Sequence, residues 1–463
     1  MTAETPQDVE LDVPPYPSFS EMTVVFARIG CLSFGGPAGQ IALMHRVLVE
    51  EKRWISESRF LHALNYCMLL PGPEAQQLAT YIGWLLYGTR GGVLAGTLFV
   101  IPGFVVILAL SMIYAVFHQT AILASLFYGL KAAVLAIVID AVIRVSRRAL
   151  KNPITVMAAG AAFAALFVFA VPFPFVVLAA GLFGYVGTRV RPDLFSGGSH
   201  KSNSNAGGPA VIDADVRDVA PTLGRAIRVL AMWGALWLAP LVFIVPLIGW
   251  TNTYVAVFGF FSQMAVVTFG GAYAVLAYVA QQAVQTFGWL QPREMIDGLA
   301  LAETTPGPLV LVLTFVGFLA TYRAPLGLDP LWAGVIGGAI TTWVTFVPCF
   351  LWIFLGAPYI ERLRQNKALS GALATITAAV VGVILNLAIW FGLHVVFARV
   401  ETLRAGPVAM PWPAWRTLDP VALAFSLGAA FVLFRLKLGI VPTLTVFAAA
   451  GLLVGLLGWP AAI

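Results

Sequence analysis

Long apolar runs separated by short polar stretches dominate the chain. A helix needs about 20 mostly apolar residues to cross a bilayer, and the runs have about that length or more. They lie at 19–45, 59–88, 91–117, 122–146, 153–170, 173–189, 226–250, 253–281, 294–322, 331–355, 370–398, 420–435 and 438–458. The pattern predicts an all-α polytopic membrane protein.

The composition supports the same fold class. Of 463 residues, 60% are hydrophobic and only 10% charged, and the mean hydropathy is +0.90. An average soluble domain is roughly 45–50% apolar and about 25% charged. This excludes a cytosolic enzyme, a secreted disulfide scaffold and a disordered chain. The net charge of +6 comes from basic clusters between apolar runs, which are typical of membrane orientation rather than of nucleic-acid binding.

Polar segments predict the division of the chain. Residues 1–18 are acidic and proline-rich, without a basic start before an apolar core, which predicts a cytoplasmic N-terminal tail and no cleavable signal peptide. Residues 191–225 contain SGGSHKSNSNAGG and predict a flexible cytoplasmic linker. A linking transmembrane helix at 226–250 then separates a first repeat, 19–190, from a second, 251–463.

The two units carry the same landmarks at a constant spacing. Phe34-Gly35-Gly36 recurs as Phe269-Gly270-Gly271, and Pro71-Gly72-Pro73 recurs as Pro306-Gly307-Pro308, both at an offset of 235. After an apparent insertion the offset becomes 246, which places Asp140 opposite Asn386. We therefore interpret the units as copies of about six helical segments each.

One linking helix between the copies predicts that the second is inverted in the membrane. Short cytoplasmic loops are enriched in Lys and Arg, and the first unit has basic clusters within 46–59 and 144–151. The second unit has only Arg293 in the loop equivalent to the first cluster, and its basic residues lie at 362–367 instead. This reversal agrees with inversion. One loop argues against inversion, because its Arg399, Arg404 and Arg416 would face the outside.

Glycine and proline interrupt the first two segments of each unit. Proline removes a helix donor and glycine tolerates non-helical backbone. Interrupted segments at matching positions of two halves are the best sequence indication of a transporter site. We expect broken, re-entrant hairpins here, although full crossing is the alternative.

The breaks also predict an anion site. Pro37 and Pro73 suit the first position of a second half-helix, where unpaired N–H groups and the helix dipole attract negative charge. Arg28, which precedes the first break, is the candidate cation. Substrate-binding candidates are Arg28, Gly35, Gly36, Pro37, Gly39, Gln40, Pro71, Gly72, Pro73, Gln76, Gly270, Gly271, Pro306, Gly307 and Pro308.

Other ionisable residues at membrane depth are candidates for proton coupling, because such residues are costly there. They are Glu74, Glu303, Asp140 and Lys131. A carboxyl group in an apolar site can carry a proton at physiological pH. For each, a structural role at a helix end or in an ion pair is the alternative. Lys131 and Asp140, nine residues apart on one segment, are expected to pair through neighbours rather than directly.

The sequence contains no motif for an enzyme or a bound cofactor. It lacks the GK[ST] of a phosphate-binding loop, an HExxH motif and a metal-ligand spacing of histidines. We therefore expect no cofactor and no metal, and transport that draws on an ion gradient.

The segments FARIGCLSFGGPAGQIALMHRVLVEEKRWISESRF and LLPGPEAQQLATYIGWLLYG resemble the signature of the chromate ion transporter (CHR) family. VVTFGGAYAVLAYV and LAETTPGP resemble its second copy, as in the long two-domain form. The resemblance implies an inner-membrane protein that expels chromate, confers chromate resistance and uses the proton motive force. The two copies differ where Arg28 and Glu74 of the first unit correspond to Gln263 and Leu309 of the second. The first unit is therefore expected to carry the charged chemistry.

Alternatives remain open at this point. Sulfate, also a tetrahedral dianion, would fit a site built on helix dipoles. A passive anion channel and an intramembrane enzyme or sensor are further readings. The expected partners are chromate (or sulfate), protons and the lipid bilayer, with a homodimer left open. We expect alternating access, with one unit rocking against the other.

Overall fold

The computed structural model describes residues 15–192, 211–214, 222–269, 272–359, 367–406 and 408–457. The helices are α1 Phe19–Leu32, α2 Gly36–His45, α3 Glu57–Cys67, α4 Glu74–Phe117, α5 Ala121–Ala149, α6 Pro153–Phe167, α7 Phe173–Val190, α8 Leu223–Ile248, α9 Thr253–Val267, α10 Ala272–Gln281, α11 Pro292–Glu303, α12 Val312–Tyr322, α13 Pro330–Gly356, α14 Lys367–Val396, α15 Pro420–Phe434 and α16 Ile440–Leu456. Among the described residues, six of them (α4, α5, α7, α8, α13 and α14) are long and apolar enough to cross a membrane. The predicted all-α polytopic membrane fold is confirmed.

The helices break at the positions predicted from glycine and proline. The first segment stops at Leu32 and restarts at Gly36, and the second stops at Cys67 and restarts at Glu74. Pro37 is the second residue of α2 and Pro73 precedes the first residue of α4, so each lies one position from the predicted one. Non-helical backbone at Tyr87 and Gly88 divides α4 into two parts, which correspond to the predicted segments 59–88 and 91–117.

The first broken segment turns back at its break. Lys52, which follows α2 and a short π-helical turn, places its Nζ 2.7 Å from Oε1 of Glu21 in the first turn of α1. A 14-residue helix is about 21 Å long. The chain must therefore return from the break to the side on which α1 begins.

The second broken segment returns to that same side. His45, at the end of α2, contacts Glu57 at the start of α3. Tyr16, which precedes α1, donates a hydrogen bond to the carbonyl of Leu86, where the first part of α4 ends. Segments 19–51 and 57–86 are thus two helical hairpins whose open ends lie together.

The second unit contains equivalent hairpins. Arg323, directly after α12, forms an ion pair with Glu294 in the first turn of α11. The boundaries of α9, α10 and α11 repeat those of α1, α2 and α3 at the offset of 235, and a π-helical turn, Gln282–Thr286, again follows the second helix. Beyond α14 the offset becomes 267, as between Pro153 of α6 and Pro420 of α15.

Equivalent long helices run antiparallel. Gly92 and Gly96 in the second part of α4 face the rings of Phe354 and Phe350 near the end of α13, whereas Leu108 contacts Gly338 near its start. Tyr114, near the end of α4, donates a hydrogen bond to Asp297 in the first half of α11. The open ends of the second unit's hairpins therefore lie near the end of α4, opposite those of the first unit.

Each unit also packs its last two helices on the other unit. Helices α6 and α7 pack against α14, while α15 and α16 pack against α5. Small residues allow the backbones to approach closely. Gly184 of α7 meets Gly371 of α14, and Gly451 of α16 meets Gly129 of α5.

Two parts of the structure were not predicted. Val400–Ala405 (β1) and Val408–Pro413 (β2) form an antiparallel hairpin between α14 and α15. In the predicted flexible linker, Val211 and Ile212 are buried, and the Ile212 N–H donates to the Trp54 carbonyl. Val211–Ala214 form a short helix, and residues 223–225, predicted as linker, already belong to α8. Residues 193–210 and 215–221 of the predicted linker lie outside the described residues.

We predict that Gly129→Ala destabilises the protein. A Cβ at Gly129 would lie 1.8 Å from the Phe447 carbonyl oxygen, and overpacking of this kind costs about 1–3 kcal/mol. Gly160→Ala is the matched control, because a helical Cβ there meets nothing within 4 Å. Thermal unfolding in detergent should show a lower midpoint for Gly129→Ala only. Equal midpoints for the two variants would contradict the close packing of α5 on α16.

Candidate functional site

The tips of the four hairpins are hydrogen-bonded across the two units. The N–H of Gly72 donates to the carbonyl of Thr268 at 2.8 Å, and the N–H of Gly307 donates to the carbonyl of Ser33 at 2.8 Å. Under the offset of 235, these are the same bond made twice. Ser33 and Thr268 cap the C-termini of α1 and α9, so each bond satisfies a carbonyl that the broken helix leaves unpaired.

Gly72 and Gly307 are required by the backbone at the tips. Their φ angles are +116° and +88°, which disfavour residues with a Cβ. A Cβ at Gly72 would also lie 2.7 Å from Sγ of Cys349. The sequence predicts both glycines as substrate-binding residues; in this structure their N–H groups donate to the opposite unit.

A cavity of about 130 Å³ lies beside the tips and brings several predicted residues together. Pro37 and Ala38, at the start of α2, line it with Glu74, at the start of α4. Ala272 and Tyr273, at the start of α10, line the same space. Three helix N-termini therefore meet at one cavity, and helix N-termini attract negative charge.

Two arginines of α5 complete this cavity, which we call the arginine cavity. Arg144 and Arg148 both line it and lie one turn apart on the same face of α5. Asp140, one turn earlier, places Oδ2 2.8 Å from Nε of Arg144. Asp140 thus orients Arg144 and offsets part of its charge, while Arg148 is exposed. The lining carries more positive than negative charge.

Glu303 lies behind the wall of the arginine cavity. It is buried, and its Oε1 accepts a hydrogen bond from the Tyr273 hydroxyl at 2.7 Å. Its other oxygen, Oε2, has no hydrogen-bond partner among the described residues. Tyr273 therefore connects a buried carboxyl group to the cavity.

The structure does not bring every predicted residue into the cavity. Arg28 is exposed on α1 and is not part of the lining. Gln40 is buried and donates to the carbonyl of Gly307, so it joins the tips. Gln76 is buried and donates to Thr80. Pro71, Pro306 and Pro308 flank the tips, and Gly35, Gly36 and Gly39 flank the first break; Gly270 and Gly271 lie outside the described residues.

Lys131 and Asp140 do not pair directly, and each has its own partner. Nζ of Lys131 lies 3.2 Å from Oδ1 of Asp297 on α11, and Asp297 Oδ2 accepts the Tyr114 hydroxyl at 2.9 Å. Asp297 is 5% exposed. This buried pair joins α5 of the first unit to α11 of the second.

Sequence reasoning missed Arg144, Arg148 and Tyr273 as cavity residues. The arginines were interpreted as orientation signals, although the spacing of 140, 144 and 148 places one acid and two bases on one helix face. The comparison of the two units did not mark Tyr273, because its equivalent in the first unit is Ala38, which has no polar side chain.

The fold is that of a polytopic membrane protein with paired helical hairpins, beside a cavity lined by helix N-termini and two arginines. The family model described as chromate transporter matches residues 20–185 and 255–456. The chain belongs to this family, which consists of transport proteins rather than enzymes.

Curated relatives match most of the chain. It is 33% identical over 376 residues to a chromate transport protein of Pseudomonas aeruginosa, covering 80% of each. A probable chromate transport protein of Synechococcus elongatus is 29% identical over 83% of this chain and 87% of its own. A chromate transport protein of Cupriavidus metallidurans is 29% identical over 80% and 82%. No solved structure matches significantly.

We predict that Lys131→Met destabilises the protein, because it leaves a buried Asp297 unpaired. Breaking one partner of a buried pair costs about 3–5 kcal/mol. The double variant Lys131→Met/Asp297→Leu should recover much of this loss, since neither charge remains. Lys151→Met, at an exposed position beyond α5, is the control. Thermal unfolding midpoints in detergent measure all three. A single variant as stable as the control would show that the pair is not important for stability.

Proposed function

We propose that this protein exports chromate across the bacterial inner membrane by alternating access of the arginine cavity. The observation that carries the proposal is the meeting of three helix N-termini with Arg144 and Arg148 in one cavity. A tetrahedral dianion can accept hydrogen bonds from such donors on several faces. The relatives named chromate transport proteins support chromate as the substrate.

The proposed topology is an inverted repeat with a cytoplasmic N-terminus. The antiparallel course of α4 and α13 and the reciprocal bonds at the tips support inversion. The basic loop at 46–59 and the end of α5 lie on the same side, which the positive-inside rule assigns to the cytoplasm. The arginine cavity then faces the cytoplasm, where an exporter must collect its substrate.

The membrane potential supplies a direct driving force for this export. Moving one elementary charge across 100 mV is worth about 2.3 kcal/mol, so a dianion leaving a negative interior gains roughly twice that per 100 mV. We propose that proton movement contributes through Glu74, which lines the same cavity. As a carboxylate it repels the dianion, and once protonated it does not. Glu303, behind Tyr273, is the second proton-coupling candidate.

Binding of the substrate by Arg28 stays a prediction. Arg28 is exposed on α1, about one turn before this helix ends at the tip of the first hairpin. In an alternating-access cycle, a residue outside the cavity in one state can face the substrate in another.

The driving force is tested by uptake of labelled chromate into inverted vesicles, whose interior is energised positive. We expect accumulation above the external concentration, lost on addition of an uncoupler and reduced more by collapsing the potential than by collapsing the pH difference. Accumulation that survives the uncoupler would contradict gradient-driven export. A passive channel would also let the membrane potential accumulate the dianion, so the two are distinguished by the initial rate, which saturates with chromate concentration for a transporter and does not for a channel.

The cavity is tested by Arg148→Gln, with Arg147→Gln as its matched control. Both arginines are exposed neighbours on α5, but only Arg148 lines the cavity. Loss of a charged hydrogen-bond donor costs about 1.5–3 kcal/mol, which corresponds to a rise in KM of roughly tenfold or more. Arg147→Gln should keep the wild-type KM. Equal values for the two variants would remove the arginine cavity from the transport path. Unlabelled sulfate as competitor measures selectivity between the two dianions.

A further inference from the structure

A second and larger cavity, of about 490 Å³, lies on the opposite side of the tips. It is enclosed by α6, α10, α14 and the β-hairpin, and we call it the hairpin cavity. Its polar lining includes Gln281, Asn386, His394 and Thr402, and it also carries one carboxylate and one cation, Glu401 and Arg404. The β-hairpin is attached to its rim, because the N–H of Ala409 donates to the carbonyl of Val168 just beyond α6 at 2.8 Å.

The two cavities share two of the helices that line them. On α10, Tyr273 lines the arginine cavity and Ala277 lines the hairpin cavity. On α14, Ile384 lines the first and Asn386 lines the second. At a rise of 1.5 Å per residue, these separations are about 6 Å and about 3 Å along the helix axes. Successive residues turn by about 100°, so Ile384 and Asn386 point to opposite faces and α14 itself lies between the cavities. Movement of α10 and α14 is therefore needed to connect them.

The two cavities use equivalent positions of α5 and α14 for different chemistry. At the offset of 246, Arg144 and Arg148 correspond to Trp390 and His394, and both of the latter line the hairpin cavity. The rings of Trp390 and His394 lie 4.3 Å apart, and Nδ1 of His394 lies 2.8 Å from the Trp390 carbonyl oxygen. An aromatic pair thus replaces two permanent cations.

We propose that the hairpin cavity is the release vestibule of the transporter, a second and weaker site for the partly hydrated tetrahedral dianion. In this lining the carboxylate of Glu401 offsets the charge of Arg404, whereas the lining of the arginine cavity carries more positive than negative charge. The anion is therefore bound less strongly here, and it reaches this site when the barrier formed by α10 and α14 opens. This inference rests on the proposed function, in which the arginine cavity binds the substrate.

Thiol modification from one side of the membrane tests the vestibule. The background carries Cys31→Ser, because Cys31 is exposed, and keeps Cys67 and Cys349, which are buried. Val400→Cys introduces a thiol on β1 in the hairpin cavity, and Leu403→Cys is its control on the same strand outside the lining. Met68→Cys places a thiol in the arginine cavity.

An impermeant maleimide should react with Val400→Cys and Leu403→Cys in right-side-out vesicles and with Met68→Cys in inverted vesicles. Modification of Val400→Cys should abolish chromate transport, whereas modification of Leu403→Cys should leave it unchanged. Sulfate should slow the labelling of Val400→Cys and of Met68→Cys, but not that of Leu403→Cys. Val284→Cys, also in the lining, replaces Val400→Cys if that variant does not transport before modification.

The outcomes separate this inference from the proposed function. If modified Val400→Cys transports as well as modified Leu403→Cys, or reacts only in inverted vesicles, the vestibule is overturned. If modification of Met68→Cys blocks chromate transport in that same experiment, the proposed function survives. If modified Met68→Cys still transports at the wild-type rate, the arginine cavity is not the substrate site, and both proposals fail.

Discussion

Backbone groups that leave a helix inside the membrane must find partners within the protein, and this constraint organises the structure. Lipid offers no hydrogen bonds, so non-helical backbone is tolerated only where protein or water surrounds it. Here the N–H of Gly72 and the N–H of Gly307 each donate to the carbonyl that ends a broken helix of the other unit. Neither unit can satisfy its own break in this way. The two copies are therefore hydrogen-bonded to each other at their helix breaks, and the cavities lie beside that junction.

A symmetric scaffold then carries asymmetric chemistry. The helix boundaries of the two units repeat closely, yet Glu74 corresponds to Leu309 and Arg148 to His394. The backbone thus supplies a cavity on each side of the junction. Side chains give one of them two arginines, Arg144 and Arg148, and give the other one acidic and one basic residue, Glu401 and Arg404. The β-hairpin, which has no equivalent among the described residues of the first unit, adds a rim to the hairpin cavity.

The sequence predicted most of the fold because the membrane makes its signals strong. Thirteen apolar segments, the breaks at Gly35-Gly36 and Pro71-Gly72-Pro73 and the spacing of the copies follow from composition and offset alone. The β-hairpin was missed because 400–413 is short and lies within a polar loop. Docking of Ile212 was missed because a composition-based linker prediction does not detect two apolar residues that fit a neighbouring surface.

The site was predicted in part, for a different physical reason. Helix N-termini at Pro37 and Glu74 were recognised because a break creates them locally. Arg144 reaches the same cavity only through the packing of α5, and a tertiary contact of that kind leaves no mark in one sequence. Arg28 illustrates the converse, since closeness to a break along the chain did not place it in the cavity.

The most direct test of the central claim is a cryo-electron microscopy map of the protein in lipid nanodiscs with saturating chromate. The account predicts that the tips of the four hairpins meet at mid-membrane, with oxyanion density in the arginine cavity at hydrogen-bond distance, about 2.7–3.2 Å, from Arg144 or Arg148. Oxyanion density elsewhere in the protein, with unbroken helices through 19–45 and 59–88, would contradict it.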